Sequence, residues 1–165
     1  EEVAREVGSS DIAYVQVEAV LAQCDLFLNE GAALQEKTQK AQKSWAQKEQ
    51  NLQAEAAQLQ EKYQKGLITT NDAQAQQQSI EKRVASYQSS AQKEAQALDE
   101  ENYVFTNRAQ DLLHRAVQEI NGDKKYKLII NATALIDADS TLDITPAVLA
   151  KVNELYAADK KAVKK

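Results

Sequence analysis

The residues whose types could support catalysis or metal binding are few in this chain of 165 residues. His114 is the only histidine, which excludes any site that needs two imidazoles, and its place beside Leu112 indicates a packed or half-exposed side chain. Cys24 is the only cysteine and cannot form an internal disulfide. Its neighbours Leu21 and Leu28 predict a small buried apolar residue rather than a reactive thiol.

One acidic segment, DADSTLD at residues 137–143, begins like a calcium-binding loop. Such a loop requires glycine at its sixth position and a bidentate glutamate at its twelfth, and these positions hold Leu142 and Val148. We therefore interpret the segment as a turn. The sequence also lacks a phosphate-binding loop and a nucleophile next to a base, so it predicts no enzyme activity, no metal site and no cofactor.

The elements that would position any site are dominated by two long helices. The run from about residue 34 to residue 120 is rich in Ala, Gln, Glu and Lys and contains no Pro. Gly66 interrupts it beside the β-branched Ile68 and suits a left-handed turn, with Thr70 or Asn71 as N-cap and Asp72 in the first turn of the second helix. The alternative is one continuous helix, in which a single Gly costs only about 1 kcal/mol.

Both predicted helices carry an apolar stripe. In the first helix, residues recur at steps of seven, four and three: Leu34, Ala41, Trp45, Leu52, Ala56, Leu59 and Tyr63. In the second helix the step is seven throughout: Val84, Ala91, Leu98, Phe105 and Leu112. The stripes predict an antiparallel hairpin whose Ala- and Gln-rich seam is weak and flexible.

The segments on either side of the hairpin indicate strands and one further helix. DIAYVQV at residues 11–17 and YKLIIN at residues 126–131 are rich in β-branched and aromatic residues. NAT at residues 131–133, which also matches the N-glycosylation triplet, predicts a tight turn that pairs residues 128–130 with residues 135–136. Thr145 as N-cap and Pro146 at the first helical position predict a short final helix. Its apolar residues are expected to pack on the head: Val148, Leu149, Val152 and Leu155.

The predicted fold class is α+β and mostly helical, with a small β head built from both chain ends and a long antiparallel helical hairpin. The head is predicted at residues 1–30 and 121–165 and the hairpin, or arm, at residues 31–120, with its tip near residues 66–71. Because only 5% of residues are aromatic, the head alone has little material for a core, and we expect a homo-oligomer that shares it. The residues expected in the head core and the oligomer interface are Ile12, Val15, Val17, Leu128, Ile130, Leu135 and Ile136.

Charge and hydropathy restrict the partners. The net charge of −5 argues against nucleic acid, although residues 36–93 hold nine basic and six acidic side chains. No apolar run is long enough to cross a bilayer, so any membrane contact is expected to be peripheral. The first residue is Glu1, which fits either a cytosolic protein or an exported protein after signal-peptide removal. The lysine pairs at 160–161 and 164–165 are interpreted as a solvated tail.

Three segments in this order resemble the Skp (OmpH-like) family of periplasmic chaperones: IAYVQVEAVL at residues 12–21, YKLIIN at residues 126–131 and LDITPAVL at residues 142–149. The resemblance implies a jellyfish-like trimer in which the strands form a shared body and three hairpins hang as tentacles around a cavity. It also implies an ATP-independent periplasmic holdase that cages unfolded outer-membrane β-barrel proteins before membrane insertion. Well-studied members are strongly basic, whereas this chain is acidic, so binding of lipopolysaccharide or anionic lipid is not inferred.

The residues predicted to contact such a client are the large side chains of the arm: Trp45, Tyr63, Leu67, Ile68 and Tyr87. Packing between the two helices explains the three aromatic residues equally well, and the two at the tip could serve only to close the hairpin. The alternative function is a structural adaptor or spacer that docks one folded partner through the tip. A membrane-surface helix bundle is disfavoured because charge is balanced along the arm.

Overall fold

The computed structural model describes residues 11–164, so residues 1–10 of the predicted head and Lys165 of the predicted tail lie outside the described residues. The chain forms, in order, strand β1 (Ile12–Val15), helix α1 (Val17–Gln23), a π-helical turn (Phe27–Gly31), helix α2 (Ala32–Gln64), helix α3 (Thr70–Ile120), strand β2 (Leu128–Asn131), two 3₁₀ turns (Ala132–Ala134 and Ser140–Leu142) and helix α4 (Thr145–Val163). The predicted mostly helical α+β fold, with strands near both chain ends and two long helices between them, is confirmed.

The chain divides into two compact units. The head unit comprises the described residues up to Ala32 together with Val104 onwards, and the arm unit is Ala33–Tyr103. The predicted boundary at residue 121 differs from this division, because the last turns of α3 supply Leu112 and Ala116 to the core of the head unit.

The sheet of the head unit has two strands from opposite ends of the chain. β1 pairs with β2 in parallel, from Ile12 opposite Leu128 to Val15 opposite Asn131, so the predicted meeting of the two chain ends is confirmed. The strands are shorter than predicted. Val17 begins α1, and the Asn121 side chain bonds both the backbone N–H and the carbonyl of residue 126, which holds that residue in the preceding loop.

The predicted hairpin after β2 is wrong. The Asn131 carboxamide oxygen accepts the Thr133 N–H and starts a 3₁₀ turn instead of a tight β-turn. Leu135 and Ile136 therefore belong to no strand, with Leu135 half-buried and Ile136 fully exposed.

The core of the head unit is built from three helices and the inner side of β1. Its buried residues are Val15, Val20, Cys24, Leu26, Leu112, Ala116, Val148, Val152, Leu155 and Tyr156. Cys24 is buried as predicted, and its thiol donates to the Leu21 carbonyl at 3.3 Å. The predicted packing of the final helix on the head is confirmed, because three of its predicted apolar residues are in this core and Leu149 packs against it.

Helix α4 differs from the prediction at both ends. Thr145 is its first residue rather than its N-cap, and the Thr145 hydroxyl accepts the Gln16 backbone N–H at 2.9 Å and donates to Asp143. Pro146 lies in the first turn as predicted. The helix continues to Val163, and the Lys160 ammonium lies 5.0 Å from the centroid of the Tyr156 ring, so the predicted tail is helical at its first lysine pair.

The arm unit is an antiparallel helical hairpin, which contradicts the continuous-helix alternative. Side chains join α2 to α3 in a regular register: Lys37 to Glu101, Trp45 to Glu94, and Glu55 to Arg83. Between them runs a seam whose buried members are Ala41, Leu59, Ile80 and Leu98. The predicted stripe residues within the arm are buried or half-buried apart from Tyr63, and Ile80 is a seam residue that the seven-residue pattern missed.

The turn between the arm helices begins as predicted. Gly66 has φ of 68°, and the Leu67 N–H returns to the Lys62 carbonyl at 2.9 Å, which closes the C-terminus of α2. The cap of α3 lies one residue earlier than predicted, because the Thr69 hydroxyl accepts the Asp72 N–H at 3.1 Å. Gly31, in contrast, interrupts no helix and lies at the end of the π-helical turn.

Replacing Gly66 by alanine is expected to destabilise the protein by about 1–2 kcal/mol, because an L side chain at this positive φ is strained although no atom lies within 4 Å of the added Cβ. Urea unfolding followed by circular dichroism measures the change. Gly66→Asn is the matched control and should cost less, since Asn tolerates the left-handed region. Equal stability of Gly66→Ala and the wild type would contradict the turn geometry.

Leu26→Ala is expected to destabilise the protein by about 2–5 kcal/mol, because Leu26 is 1% exposed within the head core and its truncation leaves a cavity. Leu28→Ala, two residues away, is the control and should cost far less, since Leu28 is 57% exposed. The free energy of unfolding of both variants decides the matter. Similar losses for the two would mean that Leu28 is covered by a partner or that Leu26 is not a core residue in solution.

Candidate binding surfaces

The structure brings Trp45 and Tyr87 together in the seam of the arm. The Trp45 indole N–H donates to a carboxylate oxygen of Glu94 at 2.6 Å, and the Tyr87 hydroxyl donates to the Trp45 carbonyl at 3.1 Å. Both side chains are half-buried. Each aromatic residue therefore serves the contact between α2 and α3, and only part of its surface is left for a ligand.

The other three predicted contact residues lie at or near the hairpin turn. Leu67 is 68% exposed, Tyr63 is 49% exposed and Ile68 is half-buried. Leu67 is thus presented at the tip rather than packed under it. Exposed large apolar side chains on an ordered turn are suited to contact with another polypeptide.

A groove between the two arm helices near the turn was missed by the sequence reasoning. It is open, has a volume of about 730 Å³ and is lined by Gln53, Ala56, Ala57, Leu59, Gln60, Tyr63, Thr70, Ala73, Gln74 and Gln77. We call it the tip groove. Alanine at the half-buried positions 56 and 73 leaves space that a larger side chain would fill. The sequence signal for the groove was alanine at these two positions. Because alanine is also a strong helix former, its presence in a helix does not by itself indicate a groove.

A second recess in the arm is polar. It measures about 390 Å³ and is lined by Ala33, Glu36, Lys37, Lys40, Ala41, Ser44 and Glu94. Its charges are largely paired: Lys37 lies 2.5 Å from Glu101 and Lys40 lies 2.6 Å from Glu36. The hydrogen bond from Lys40 holds the pKa of Glu36 below its ordinary value. Since these side chains are exposed, the pairs contribute little to stability.

The parallel register of the head sheet gives it two different faces. Paired residues of parallel strands point to the same side, so Ala13 and Val15 face the core, while Ile12, Tyr14, Leu128 and Ile130 form the opposite face. We call this the outer face. Ile12 is 45% exposed and Leu128 is 51% exposed, and within the described residues β2 pairs with β1 alone. An apolar face beside a strand edge that has no partner strand is suited to association with another chain.

The predicted head residues therefore fall into separate groups. Val15 is in the core of the chain itself, and Val17 packs against that core. Ile12, Leu128 and Ile130 lie on the outer face. Their predicted place in a subunit interface stays a prediction, as does that of Leu135 and Ile136.

A shallow apolar groove of about 260 Å³ lies in the head unit beside the sheet. It is lined by Val15, Val17, Gln110, Leu113, His114, Val117, Ile129, Ile130 and Asn131. The His114 side chain is exposed rather than packed or half-exposed, and its Nε2 lies 3.1 Å from the Gln118 side-chain nitrogen. The only histidine thus borders an apolar surface, and its side-chain hydrogen-bond partner is Gln118.

The acidic segment at residues 137–143 forms turns, as interpreted. The Asp139 carboxylate accepts the Thr141 N–H at 2.9 Å, and this hydrogen bond lowers the pKa of Asp139. Asp143 likewise accepts the Thr145 N–H. Loss of hydration, followed by the nearby charges of Asp143 and Asp139, raises the pKa of Tyr14. Among residues 11–164 no cluster of His, Cys, Asp and Glu side chains is arranged to hold a metal ion.

A carboxylate in the head unit is held by two donors from different helices. Glu30 accepts from the Arg108 guanidinium at 2.5 Å and from the Tyr156 hydroxyl at 3.1 Å. The hydrogen bond from Arg108 is the main cause of the lowered pKa of Glu30. A neighbouring pair joins Arg115 to Asp159 through two hydrogen bonds of 2.9 and 3.1 Å. Both clusters tie α3 to other helices of the head.

The helices are long but not apolar: in the described part of the chain, none has the length and hydropathy needed to span a bilayer.

The fold and its surfaces define a class: helical-hairpin proteins with a small strand-containing head, whose candidate sites are apolar surfaces for other polypeptides. The profile of the outer membrane protein (OmpH-like) family matches residues 11–152, and the chain belongs to this family. The resemblance to the Skp (OmpH-like) family is thereby confirmed.

One solved structure shows the same fold. It is an OmpH-like protein from Caulobacter crescentus CB15 to which an outer membrane chaperone role is attributed. The two are 17% identical, with a TM-score of 0.74 over 90% of this chain and 86% of the other. No curated protein matches this chain significantly by sequence.

The stability of the protein is expected to fall in acid, in part because Glu30 must stay ionised. A carboxylate with a lowered folded pKa stabilises the fold above its unfolded pKa, here near 4.5, and that contribution is lost as the pH falls through the folded value. Glu30→Gln should therefore lose less stability than the wild type between about pH 6 and about pH 3. The difference should be about 1 kcal/mol or less, because Arg108 is 52% exposed and solvent screens the pair.

The measurement is urea unfolding at both pH values. Glu18→Gln, which changes an exposed carboxylate of α1, is the control and should keep the wild-type pH dependence. An unchanged pH dependence in Glu30→Gln would show that the Arg108 contact does not stabilise the folded chain in solution.

Proposed function

We propose that this protein is an ATP-independent holdase chaperone of the periplasm that cages unfolded outer-membrane β-barrel proteins and prevents their aggregation before membrane insertion. It uses no cofactor and catalyses no reaction. Its partners are unfolded outer-membrane proteins and further copies of itself, arranged as a trimer. Contact with the membrane is at most peripheral, and the acidic net charge of −5 disfavours nucleic acid as a partner.

The observation that carries the proposal is the composition of the arm surface. The arm combines a seam of small and apolar residues with an exposed Leu67, a half-exposed Tyr63 and an uncharged groove between its helices. Such a surface offers several weak apolar contacts. Weak, distributed contacts keep an unfolded chain from aggregating without fixing it in one structure.

The head unit supports self-association. An isolated two-stranded sheet is marginal in water, and its outer face presents Ile12 and Leu128 to solvent. Covering this face with the same face of other copies would bury apolar surface, and it would not require any charged residue of the outer face to lose its hydration. The trimer implied by the family resemblance provides this cover and places several arms around one client.

Client capture is expected to depend little on salt. The charges along the arm are of both signs, and many are already paired with one another, as in Arg83 with Glu55 and Lys65 with Glu61. Salt screens long-range attraction between exposed charges but leaves apolar contacts intact. This separates the proposed mechanism from capture by a strongly basic surface.

A second candidate function is an adaptor that docks one folded partner through the tip. The observation that favours it is Leu67, which is 68% exposed on a turn held by a backbone hydrogen bond from its own N–H. The two functions differ in breadth. A holdase binds many unfolded β-barrel proteins with similar affinity, whereas an adaptor binds a single folded protein.

The first test is mass by light scattering, for the protein alone and after dilution of a urea-unfolded outer-membrane β-barrel protein into it. We expect a trimer that keeps the client soluble in a complex of defined mass, at low salt and at about physiological ionic strength. The folded β-barrel protein in detergent is the control client and should not bind.

A monomer or dimer that leaves the client to aggregate would overturn the holdase proposal and favour the adaptor. Capture that disappears at modest salt would instead overturn the apolar mechanism and leave a charge-driven one.

A further inference from the structure

The tip groove differs from the rest of the arm in having no charged residue in its lining. Its ten residues are Ala, Gln, Leu, Tyr and Thr, whereas the polar recess of the arm is lined by two glutamates, Glu36 and Glu94, and two lysines, Lys37 and Lys40. Two carboxylates of α2 near the lining are paired with cations: Glu55 with Arg83, and Glu61 with Lys65. The lining itself therefore offers no counter-charge to a segment that enters the groove.

The floor of the groove is apolar and recessed. Leu59 is buried there, and Ala56 and Ala73 are half-buried in the seam between the helices. The volume of about 730 Å³ is within the range of roughly 300–1,000 Å³ that is typical of ligand sites. Tyr63 forms one end with half of its surface exposed. An apolar side chain placed on this floor would lose contact with water on the side that faces Leu59 and the two alanines.

The rims of the groove carry glutamine from both helices. Gln53 and Gln60 lie two turns apart on α2, and Gln74 and Gln77 lie one turn apart on α3. All four are exposed, and Gln77 also donates to Glu81 at 3.1 Å. A carboxamide offers a donor and an acceptor together, which is the same pair that a peptide group presents. The rims thus match a ligand with unpaired backbone groups.

We propose that the tip groove binds an extended, uncharged polypeptide segment with apolar side chains at alternate positions. The alternate apolar side chains lie on the alanine and leucine floor, and the backbone N–H and C=O groups bond the glutamine carboxamides of the rims. A helix would not fit this chemistry, because its backbone groups are bonded internally. A charged segment should bind more weakly, because the lining supplies no counter-charge to offset its lost hydration.

This inference rests on the proposed function and makes it more specific. Strands of outer-membrane barrels alternate apolar and polar residues over about ten residues, so the unfolded client is rich in segments of this kind. The groove would then recognise the feature that such clients share, rather than any particular sequence.

The probe is a fluorescent peptide of about ten alternating Val and Ser residues, the length of one barrel strand. Fluorescence anisotropy measures its binding to the full-length protein. Two further peptides test the chemistry: one is N-methylated at alternate backbone positions, which removes N–H donors, and one carries Lys at every Ser position. Both should bind more weakly than the parent peptide.

Two variants alter the groove at exposed positions. Gln60→Leu removes a rim carboxamide and should weaken peptide binding about threefold to tenfold, the fold-change that corresponds to one neutral hydrogen bond. Ala57→Leu narrows the groove and should weaken binding at least as much. The matched controls are Gln58→Leu and Ala46→Leu, which change exposed residues of the same helix outside the lining and should bind as the wild type does.

Several outcomes would overturn the assignment. They are a wild-type protein that does not bind the peptide, controls that lose as much affinity as the groove variants, and an N-methylated peptide that binds as tightly as its parent. A change in oligomer mass on Ala57→Leu would also overturn it, because a second copy would then be the occupant.

The same variants separate this inference from the proposed function. If the wild type keeps a β-barrel client soluble but the groove variants bind the peptide unchanged, the groove assignment fails and the holdase stands. If the peptide binds as expected but no client is kept soluble, the groove assignment stands and the holdase proposal fails.

Discussion

The parallel pairing of β1 with β2 is the interaction on which the rest of the fold depends. Ile12 lies opposite Leu128 and Val15 lies opposite Asn131, although more than a hundred residues separate the strands. Parallel strands cannot be joined by a tight turn and need a crossover connection. Here the connection between the two strands contains α1, the π-helical turn and the helical hairpin.

The same pairing also divides the apolar residues of the head between two roles. One face of the sheet packs on α1, α3 and α4, where ten buried residues form a continuous core. The arm has only four buried residues, at Ala41, Leu59, Ile80 and Leu98. Because local stability follows buried apolar contact, the head should resist opening while the arm opens more readily. A tightly packed head with a loosely packed arm is consistent with a protein that holds partners of varied size.

Much of the fold follows from local signals in the sequence. The absence of Pro between residues 34 and 120, the seven-residue apolar repeat and Gly66 predict the hairpin, and the β-branched segments on either side of it predict the strands. The predictions that were wrong concern side chains that bond to residues distant in the sequence, or turns for which two conformations are similarly favourable. Asn131 can start either a β-turn or a 3₁₀ turn, and only its bond to the Thr133 N–H decides between them. Thr145 is equally suited to capping, but the Gln16 N–H occupies its hydroxyl. The predicted head began at residue 121, whereas the head unit begins at Val104, because α3 contributes Leu112 and Ala116 to its core.

The candidate binding surface was also only partly predictable from the sequence. Trp45 and Tyr87 were predicted to contact a client because their side chains are large. In the structure each forms a hydrogen bond with the opposite arm helix and so stabilises the hairpin. The more distinctive surface is formed by small and neutral residues, whose individual hydrophobic signal is weak. In the proposed holdase, which uses no nucleotide, the client would leave by dissociation alone, and strong aromatic anchors would slow that release. The alanine floor and glutamine rims of the tip groove would instead give individually weak contacts. The proposed weak binding therefore depends on the absence of large apolar and charged side chains from most of the groove lining.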